Sequence, residues 1–185
     1  GTLWQSLDKG KTWKKIYKFP SGVRGISFLP AREKEPATIF VGTKQSGIYK
    51  SINGGIKWDA ISNGLPNMEI RGISAAFDKN TGDEALYACV QTKMEAGKPE
   101  TYQGGIYKTI NRGETWIDCN KTLPRIDLSS DFQRTYSRYF NVVAVTPSLV
   151  YTTGSGFKSV ICVSEDGGET WQSRFQKSRT SWVDG

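Results

Sequence analysis

The 185-residue sequence contains no histidine, and this absence excludes several classes of site. Without an imidazole the chain cannot supply a Ser-His-Asp or Cys-His nucleophile, a histidine general base or a histidine-ligated zinc. It also has no apolar run of the roughly 18 residues that a membrane span needs, and no basic and apolar leader. Catalysis by these residues would have to use carboxylates, Tyr, Lys, Arg or Cys.

Cysteine is scarce, with three copies in the whole chain. Cys89, Cys119 and Cys162 are far apart and form none of the close pairs that are typical of metal or redox motifs. Each falls in an apolar, strand-like run, so we expect buried free thiols, with a disulfide or a reactive thiol as the alternative. No metal or cofactor site is predicted.

Positive charge is in excess, with 25 Lys and Arg against 18 Asp and Glu and a net charge of +7. Such a balance suggests an anionic partner such as nucleic acid. The lysines are scattered among hairpin-like segments, however, as in residues 9–15, with no groove-reading helix or nucleic-acid motif. We interpret them as a solvated face and do not predict nucleic-acid binding.

Four copies of one octapeptide pattern organise the chain. Each copy has Ser or Thr first, Asp or Asn third, Gly fifth and Trp eighth, and the copies begin at residues 6, 51, 109 and 164. Four of the six tryptophans occupy its eighth position. The pattern residues are Ser6, Asp8, Gly10 and Trp13; Ser51, Asn53, Gly55 and Trp58; Thr109, Asn111, Gly113 and Trp116; and Ser164, Asp166, Gly168 and Trp171.

The octapeptide is typical of the connection in a β-hairpin. Its Asp or Asn can accept hydrogen bonds from backbone N–H groups of the same turn, and its Gly supplies a positive φ. Its Trp opens the return strand and can cover the turn. Because Asn53 and Asn111 stand where other copies have Asp8 and Asp166, these acids are predicted to be structural: an amide can replace a turn acceptor but not a catalytic acid.

This pattern resembles the Asp-box, or BNR repeat, of sialidases, xyloglucan-type glycoside hydrolases, sortilin-like receptors and photosystem assembly factors. The resemblance covers essentially the whole chain and implies an all-β fold, a β-propeller of four-stranded antiparallel blades. It also implies a secreted, periplasmic or extracellular location. Hydrolases and non-catalytic binding proteins share the repeat, so it does not choose between those functions.

Strand-like runs between the octapeptides divide a single partial domain, 1–185, into about three and a half blades. The predicted blades are 1–20, which is only half a blade, 22–61, 70–119 and 139–175, with 181–185 opening a further one. Propellers usually close with about 4 to 8 blades, and an open arc would expose strand edges. We therefore expect the rest of a longer propeller, or a second chain, to close the ring.

In the families it resembles, function lies at the end of the blades opposite the octapeptides, and two long loops are predicted there. They span Gln91–Gly104 and Asn120–Arg138, and long loops are often functional. Their rings and charged groups form the mixture that sugar recognition uses; the alternative is a solvated loop folded over its own aromatics. The candidates are Tyr102, Arg125, Phe132, Arg134, Tyr136 and Arg138, with Glu95, Glu100, Asp127 and Asp131.

Arginines also recur at the start of the predicted inner strands. Arg24 and Arg71 occupy the same place in V-R-G-I-S and I-R-G-I-S, while Arg138 lies two residues before Phe140 and out of register. Sialidases grip a substrate carboxylate with three arginines from different blades, which implies an anion site here. The sialidase signature and nucleophile pair are missing, and the simpler alternative is that Arg24 and Arg71 cap neighbouring loop carbonyls.

Asp127 and Asp131 are the weak candidates for catalysis. They lie four residues apart on one loop, whereas an inverting glycosidase needs two carboxyls that face each other across a cleft at roughly 6.5 to 9.5 Å. The sequence therefore predicts a non-catalytic module that binds a glycan or a protein. The alternative is part of a sialidase- or xyloglucanase-like glycoside hydrolase whose catalytic residues are incomplete in this chain.

Overall fold

A computed structural model describes residues 1–95, 98–124, 138–155 and 158–178, and these residues form strands and their connections without an α-helix. The described residues therefore include no helix that could span a membrane. The all-β prediction is confirmed. The strands are β1 (Thr2–Gln5), β2 (Lys14–Lys18), β3 (Val23–Leu29), β4 (Thr38–Thr43), β5 (Ile48–Ser51), β6 (Asp59–Ala60), β7 (Ile70–Phe77), β8 (Glu84–Glu95), β9 (Lys98–Thr109), β10 (Ile117–Asp118), β11 (Arg138–Ala144), β12 (Val150–Ser155), β13 (Lys158–Ser164) and β14 (Gln172–Ser178).

The described strands form four antiparallel sheets, which we call blades one to four. Blade one contains β1 and β2, and the other blades contain β3–β6, β7–β10 and β11–β14, each in sequence order across the sheet. Their inner strands lie side by side: the Ser27 hydroxyl accepts a hydrogen bond from the Ala75 amide, and Ser74 accepts one from Ala144. About three and a half blades of four-stranded sheet are present, as predicted.

The hydrophobic core lies between successive blades. Because strand side chains alternate between two faces, β8 directs Leu86, Ala88 and Val90 toward blade two, and Tyr87 and Cys89 toward blade four. A smaller cluster joins blades one and two. A blade is thus buried on both faces wherever it has two neighbours, which explains the unbroken apolar runs 39–42 in β4 and 85–90 in β8.

Each octapeptide forms a tight turn at the same end of its blade. The side-chain oxygen of the third residue accepts a hydrogen bond from the amide of the seventh, as in Thr12 to Asp8 at 2.8 Å and Thr115 to Asn111 at 3.0 Å. All four Gly at the fifth position have φ between 87° and 93°. The amide of this Gly donates to the hydroxyl of the first residue in each copy.

The turns also connect neighbouring blades. The indole of Trp116 donates to the Ile61 carbonyl of blade two at 2.7 Å, and Trp171 donates to the Cys119 carbonyl of blade three at 2.8 Å. Trp13 of blade one instead donates to Gly10 of its own turn and stays 61% exposed. Trp58 also donates within its own turn, to Gly55, and contacts blade one through its ring, which packs edge-on against Phe19. The third and fourth tryptophans thus join each blade to the preceding one by a hydrogen bond, and Trp58 does so by ring packing.

An ion-pair cluster links blades two and three at the same end. Glu84 at the start of β8 pairs with Arg32 and accepts two hydrogen bonds from Arg112, at 2.7 and 2.9 Å. Arg112 also pairs with Glu35 at 2.6 Å. Hydrogen bonding to Glu84 raises the pKa of Arg112. Since Glu84 and Arg112 are both largely buried, the cluster resists separation of the two blades.

Candidate functional site

The two ends of each blade are distinct, and we name them by what they carry. In blade two, the octapeptide follows β5 at one end, which we call the turn end. At the other end, the open end, Val23 at the start of β3 pairs with Thr43 at the end of β4. The inner strands of all three complete blades begin at the open end, because neighbouring strands alternate in direction.

Each inner strand has a β-bulge at the open end. The pairing register skips Arg24 in β3, Arg71 in β7 and Phe140 in β11. A bulge leaves one residue outside the ladder and redirects its side chain. These equivalent residues form a row, which we call the bulge row. Arg138 pairs with Ser155, outside this row, so Phe140 occupies the place of a third arginine.

The residues after the bulges bring the inner strands close together. A Cβ on Gly72 would lie 2.7 Å from the Asn141 side-chain oxygen, and one on Gly25 would lie 3.3 Å from Ile73. A side chain at Gly72 would therefore require the strands to separate. The Arg-Gly pairs of β3 and β7 thus combine a redirected arginine with a close contact to the next blade.

Arg71 is oriented by two neighbours. Its Nε donates a hydrogen bond to the side-chain oxygen of Gln91, and its guanidinium carbon lies 5.9 Å from the centre of the Phe140 ring, a cation–π distance. Arg71 therefore binds a side-chain amide rather than the loop carbonyl considered above. Arg24 is exposed at the equivalent position of blade two.

Gln91 is held by the connection between blades two and three. Its carbonyl accepts a hydrogen bond from Asn67 at 3.0 Å, and its amide donates to Glu69 at 2.7 Å. Its side-chain nitrogen donates to the Thr92 carbonyl at 2.9 Å. The oxygen that receives Arg71 is thus fixed from several sides, which preorganises the guanidinium.

The prediction that Gln91–Gly104 forms a loop is wrong. Strands β8 and β9 continue through it, with Lys93 opposite Gln103 and Glu95 opposite Lys98. The hairpin therefore projects about five residues, or roughly 16 Å, beyond the last regular pair of the blade. No turn-forming cluster directly follows Val90, so the strand has no local reason to end there.

Most of the predicted ligand-binding side chains lie outside the described set. Strand β9 contains Tyr102 and strand β11 contains Arg138, but the structure describes the backbone of these two residues only. Residues 181–185 also lie outside it. The remaining candidates lie outside the described residues: Arg125, Asp127, Asp131, Phe132, Arg134 and Tyr136.

The three cysteines are free and buried, as predicted. Burial raises the pKa of Cys89 to about 12 and the pKa values of Cys119 and Cys162 to about 11. At neutral pH these thiols stay protonated and are poor nucleophiles. Within the described ranges, no group of three or more Cys, Asp or Glu is arranged to hold a metal ion.

A cavity of about 580 Å³ lies at the turn end, between blades three and four. Its charged lining includes Glu84 and Asp166. Glu84 is already paired with two arginines, and Asp166 accepts hydrogen bonds from Thr170 and Ser164 of its own turn. These carboxylates serve the fold, and the bulge row is the stronger candidate for a ligand site.

No protein-family model matches the chain. Xyloglucanase Xgh74A of Acetivibrio thermocellus is 25% identical over 197 residues, which cover 92% of this chain and 22% of that protein. The chain thus spans about a fifth of the length of the curated relative that it matches.

Solved structures with a similar fold include a xyloglucanase and two structures of YCF48. The GH74 xyloglucanase from Xanthomonas campestris aligns with a TM-score of 0.59 and 19% identity, over 93% of this chain and 26% of that one. YCF48 bound to D1 peptide aligns with a TM-score of 0.54 and 19% identity, over 94% and 46%. YCF48 from Cyanidioschyzon merolae aligns with a TM-score of 0.53 and 18% identity, over 90% of this chain and 44% of that one.

The chain has a β-propeller fold. At these identities the structural neighbours support the fold alone, and the fold hosts many functions. Within this fold, sequence reasoning identified Arg24 and Arg71 but missed Gln91 and Phe140. Placing residues 139–141 beneath the two Arg-Gly segments would have revealed Phe140; Gln91 carries no comparable signal, because its role depends on contacts between blades.

Proposed function

We propose that this chain is a non-catalytic propeller module that binds a glycan or a protein ligand at its open end. The bulge row beside the projecting β8–β9 hairpin carries this proposal. A guanidinium fork suits carboxylate and carbonyl oxygens, and an aromatic ring packs on the apolar face of a sugar or side chain. The proposed ligand-binding residues are Arg24, Arg71, Tyr102, Arg125, Arg134, Tyr136 and Arg138, with Phe140 and Gln91.

The similarity to xyloglucanases supports a glycan ligand, and the YCF48 structure with its peptide supports a protein ligand. Glycan and peptide arrays probed with the 185-residue chain distinguish these two classes. For the ligand so found, we expect Arg71→Ala, Phe140→Ala, Tyr102→Ala and Tyr136→Ala each to weaken binding about tenfold, as truncation of a central contact does. Arg174→Ala, an exposed arginine on the outer strand of blade four, is the matched control.

The binding proposal is contradicted if the open-end variants bind as wild type does, or if Arg174→Ala has the same effect. A native unfolding midpoint in each variant separates lost contacts from lost structure. Arg71→Ala is the most informative variant, since its side chain touches two members of the site without belonging to the buried core.

Part of a glycoside hydrolase is the second candidate, favoured by the 25% identity to Xgh74A over most of this chain. Asp127 and Asp131 are its candidate acids. Turnover of xyloglucan or aryl-glycosides by the chain, abolished by Asp127→Asn or Asp131→Asn, would replace the binding proposal with this one. Turnover that survives both substitutions would exclude these aspartates.

We also propose that the rest of blade one and one or more further blades, from a longer propeller or a second chain, cover the apolar faces that blades two and four leave exposed. Ile26 and Phe28 of β3 are exposed on one side, and Val143 and Tyr151 of blade four on the other. Apolar sheet faces of this kind are buried wherever two blades meet in this molecule. Light scattering that finds a monomer, together with cooperative unfolding, would contradict the proposal.

The periplasmic or extracellular location is likewise a proposal that follows from family resemblance. The three free thiols are buried, so an oxidising compartment would leave them unpaired. Fractionation of the source cells, with detection by an antibody raised against this chain, tests the location. Recovery in the cytosolic fraction would contradict it.

A further inference from the structure

The turn end carries a repeated exposed aliphatic residue that the turns do not need. The second octapeptide position is Leu7, Ile52 and Ile110 in the first three copies, with exposed fractions of 91%, 52% and 59%. Ile56, at the sixth position of the second copy, is 81% exposed. Single exposed aliphatics are ordinary, but repetition at one position and one end of a fold indicates a surface.

The hydrogen bonds of the turn do not explain these residues. The first, third, fifth and seventh positions form them, and the second-position side chain is apolar. A polar residue would serve the turn equally well, and the fourth copy has Glu165 there, paired with Arg174 at 3.2 Å. The aliphatic side chains therefore have a role outside the turn.

The first two turns differ in charge from the fourth. In and next to the first turn, Lys9, Lys11, Lys14 and Lys15 are all exposed, while Asp8 is bound within the turn by Thr12. The second turn adds the exposed Lys57, which pairs with the exposed Asp59 at 3.5 Å, and the half-buried Lys50. The fourth turn instead carries Glu165, Asp166 and Glu169. The exposed aliphatics of turns one and two thus belong to turns in and beside which lysines outnumber acidic residues.

We propose that the first two octapeptide turns dock on the surface of an anionic lipid bilayer. In this docking the exposed side chains of Leu7, Ile52 and Ile56 enter the region between headgroups and acyl chains, and the lysines of the two turns face lipid phosphates. The cavity described above at this end lies between blades three and four, away from turns one and two, whose aliphatic side chains are exposed at the tips of the turns. This docking is independent of ligand binding at the open end.

Vesicle flotation with the 185-residue chain tests the proposal. The vesicles contain phosphatidylcholine alone or with about 30% phosphatidylserine, at about 50 mM and about 500 mM salt. We expect binding only to the phosphatidylserine vesicles, and weaker binding at high salt. The triple variant Leu7→Ser, Ile52→Ser, Ile56→Ser and the triple variant Lys9→Glu, Lys11→Glu, Lys57→Glu should each reduce partitioning at least about tenfold.

Glu165→Ser, a change at the second position of the fourth turn, is the matched control and should leave partitioning unchanged. All substituted side chains are exposed, so thermal unfolding should match wild type and show that each variant is folded. Wild-type chain that fails to float with phosphatidylserine vesicles at low salt overturns the proposal and leaves the surface to a protein partner. Binding lost with the lysines but kept by the serine variant overturns the insertion of the aliphatic side chains.

Discussion

The turn end and the open end of the blades differ in how much they repeat. At the turn end, the same eight-residue arrangement occurs four times, with the same hydrogen bonds and the same positive φ at its Gly. At the open end, blade two has a short connection between Thr43 and Ile48, whereas blade three extends into a long hairpin. The bulge row likewise changes from arginine to phenylalanine along the arc.

This difference follows from where the stabilising contacts lie. A turn whose polar groups are satisfied within eight residues can be copied into any blade, and its Trp then joins that blade to the preceding one. The open end has no such local unit, so its residues can vary without loss of the blade. The contacts that define the architecture are therefore concentrated at the turn end, whereas the proposed ligand site lies at the more variable open end.

Among substitutions at the turn end, we expect the largest loss of stability at Gly113, the fifth residue of the third turn. Gly113→Ala places a side chain at φ +93°, with its Cβ 2.7 Å from the Ile61 Cβ of blade two. Strain and overpacking together should lower the free energy of unfolding by about 3 kcal/mol. Denaturant unfolding measures this loss.

Gly54→Ala is the matched control, because Gly54 has φ +71° but nothing lies near a Cβ there. Lys9 and Arg112 adopt similar angles at this turn position, so the cost should be about 1 kcal/mol. Equal losses in the two variants would show that the contact between blades contributes nothing at Gly113.

A smaller effect is expected from the ion-pair cluster of the turn end. Glu84→Gln removes the largely buried carboxylate that Arg32 and Arg112 share, leaving Arg112 with the exposed Glu35 only among the described acids, and should lower the free energy of unfolding by about 2 kcal/mol. Glu165→Gln breaks an exposed pair with Arg174 and should change it by under about 0.5 kcal/mol. If the two substitutions destabilise equally, the cluster does not join blades two and three.

The smallest predicted effect is on the pH dependence of stability, in which turns with Asp should differ from turns with Asn. Hydrogen bonds from Thr12 lower the pKa of Asp8 to about 2, and Thr170 does the same for Asp166. Because these values lie below the unfolded aspartate pKa of about 3.9, their stabilisation is present above about pH 4 and is lost as the pH falls toward 2.

The double variant Asp8→Asn, Asp166→Asn should therefore lose stability less steeply between about pH 4 and pH 2. Asn111→Asp should have the opposite effect, because Thr115 can donate to the new carboxylate as Thr12 does to Asp8. Denaturant unfolding at stepped pH measures both slopes. Parallel curves for wild type and variants would show that the turn aspartates are not protonated in this range.

The all-β class, the positions of the four turns and the burial of the cysteines could be predicted from the sequence. These features depend on short-range chemistry: a turn acceptor and a Gly with positive φ act within eight residues, and strand alternation acts between adjacent positions. The same reasoning aligned Arg24 with Arg71, because both belong to one repeated pentapeptide.

Three features could be seen only in the tertiary structure. Strands β8 and β9 continue through the predicted loop, Phe140 belongs to the bulge row, and Gln91 orients Arg71. Each of these depends on register or on a contact between blades, and residues such as Asn67 and Gln91 are 24 positions apart. A one-residue bulge reassigns every side chain that follows it, and no local pattern records that shift. The turn end could thus be predicted from the sequence, because its contacts lie within eight residues. The candidate site at the open end could not, because it depends on how dissimilar segments of neighbouring blades pack together.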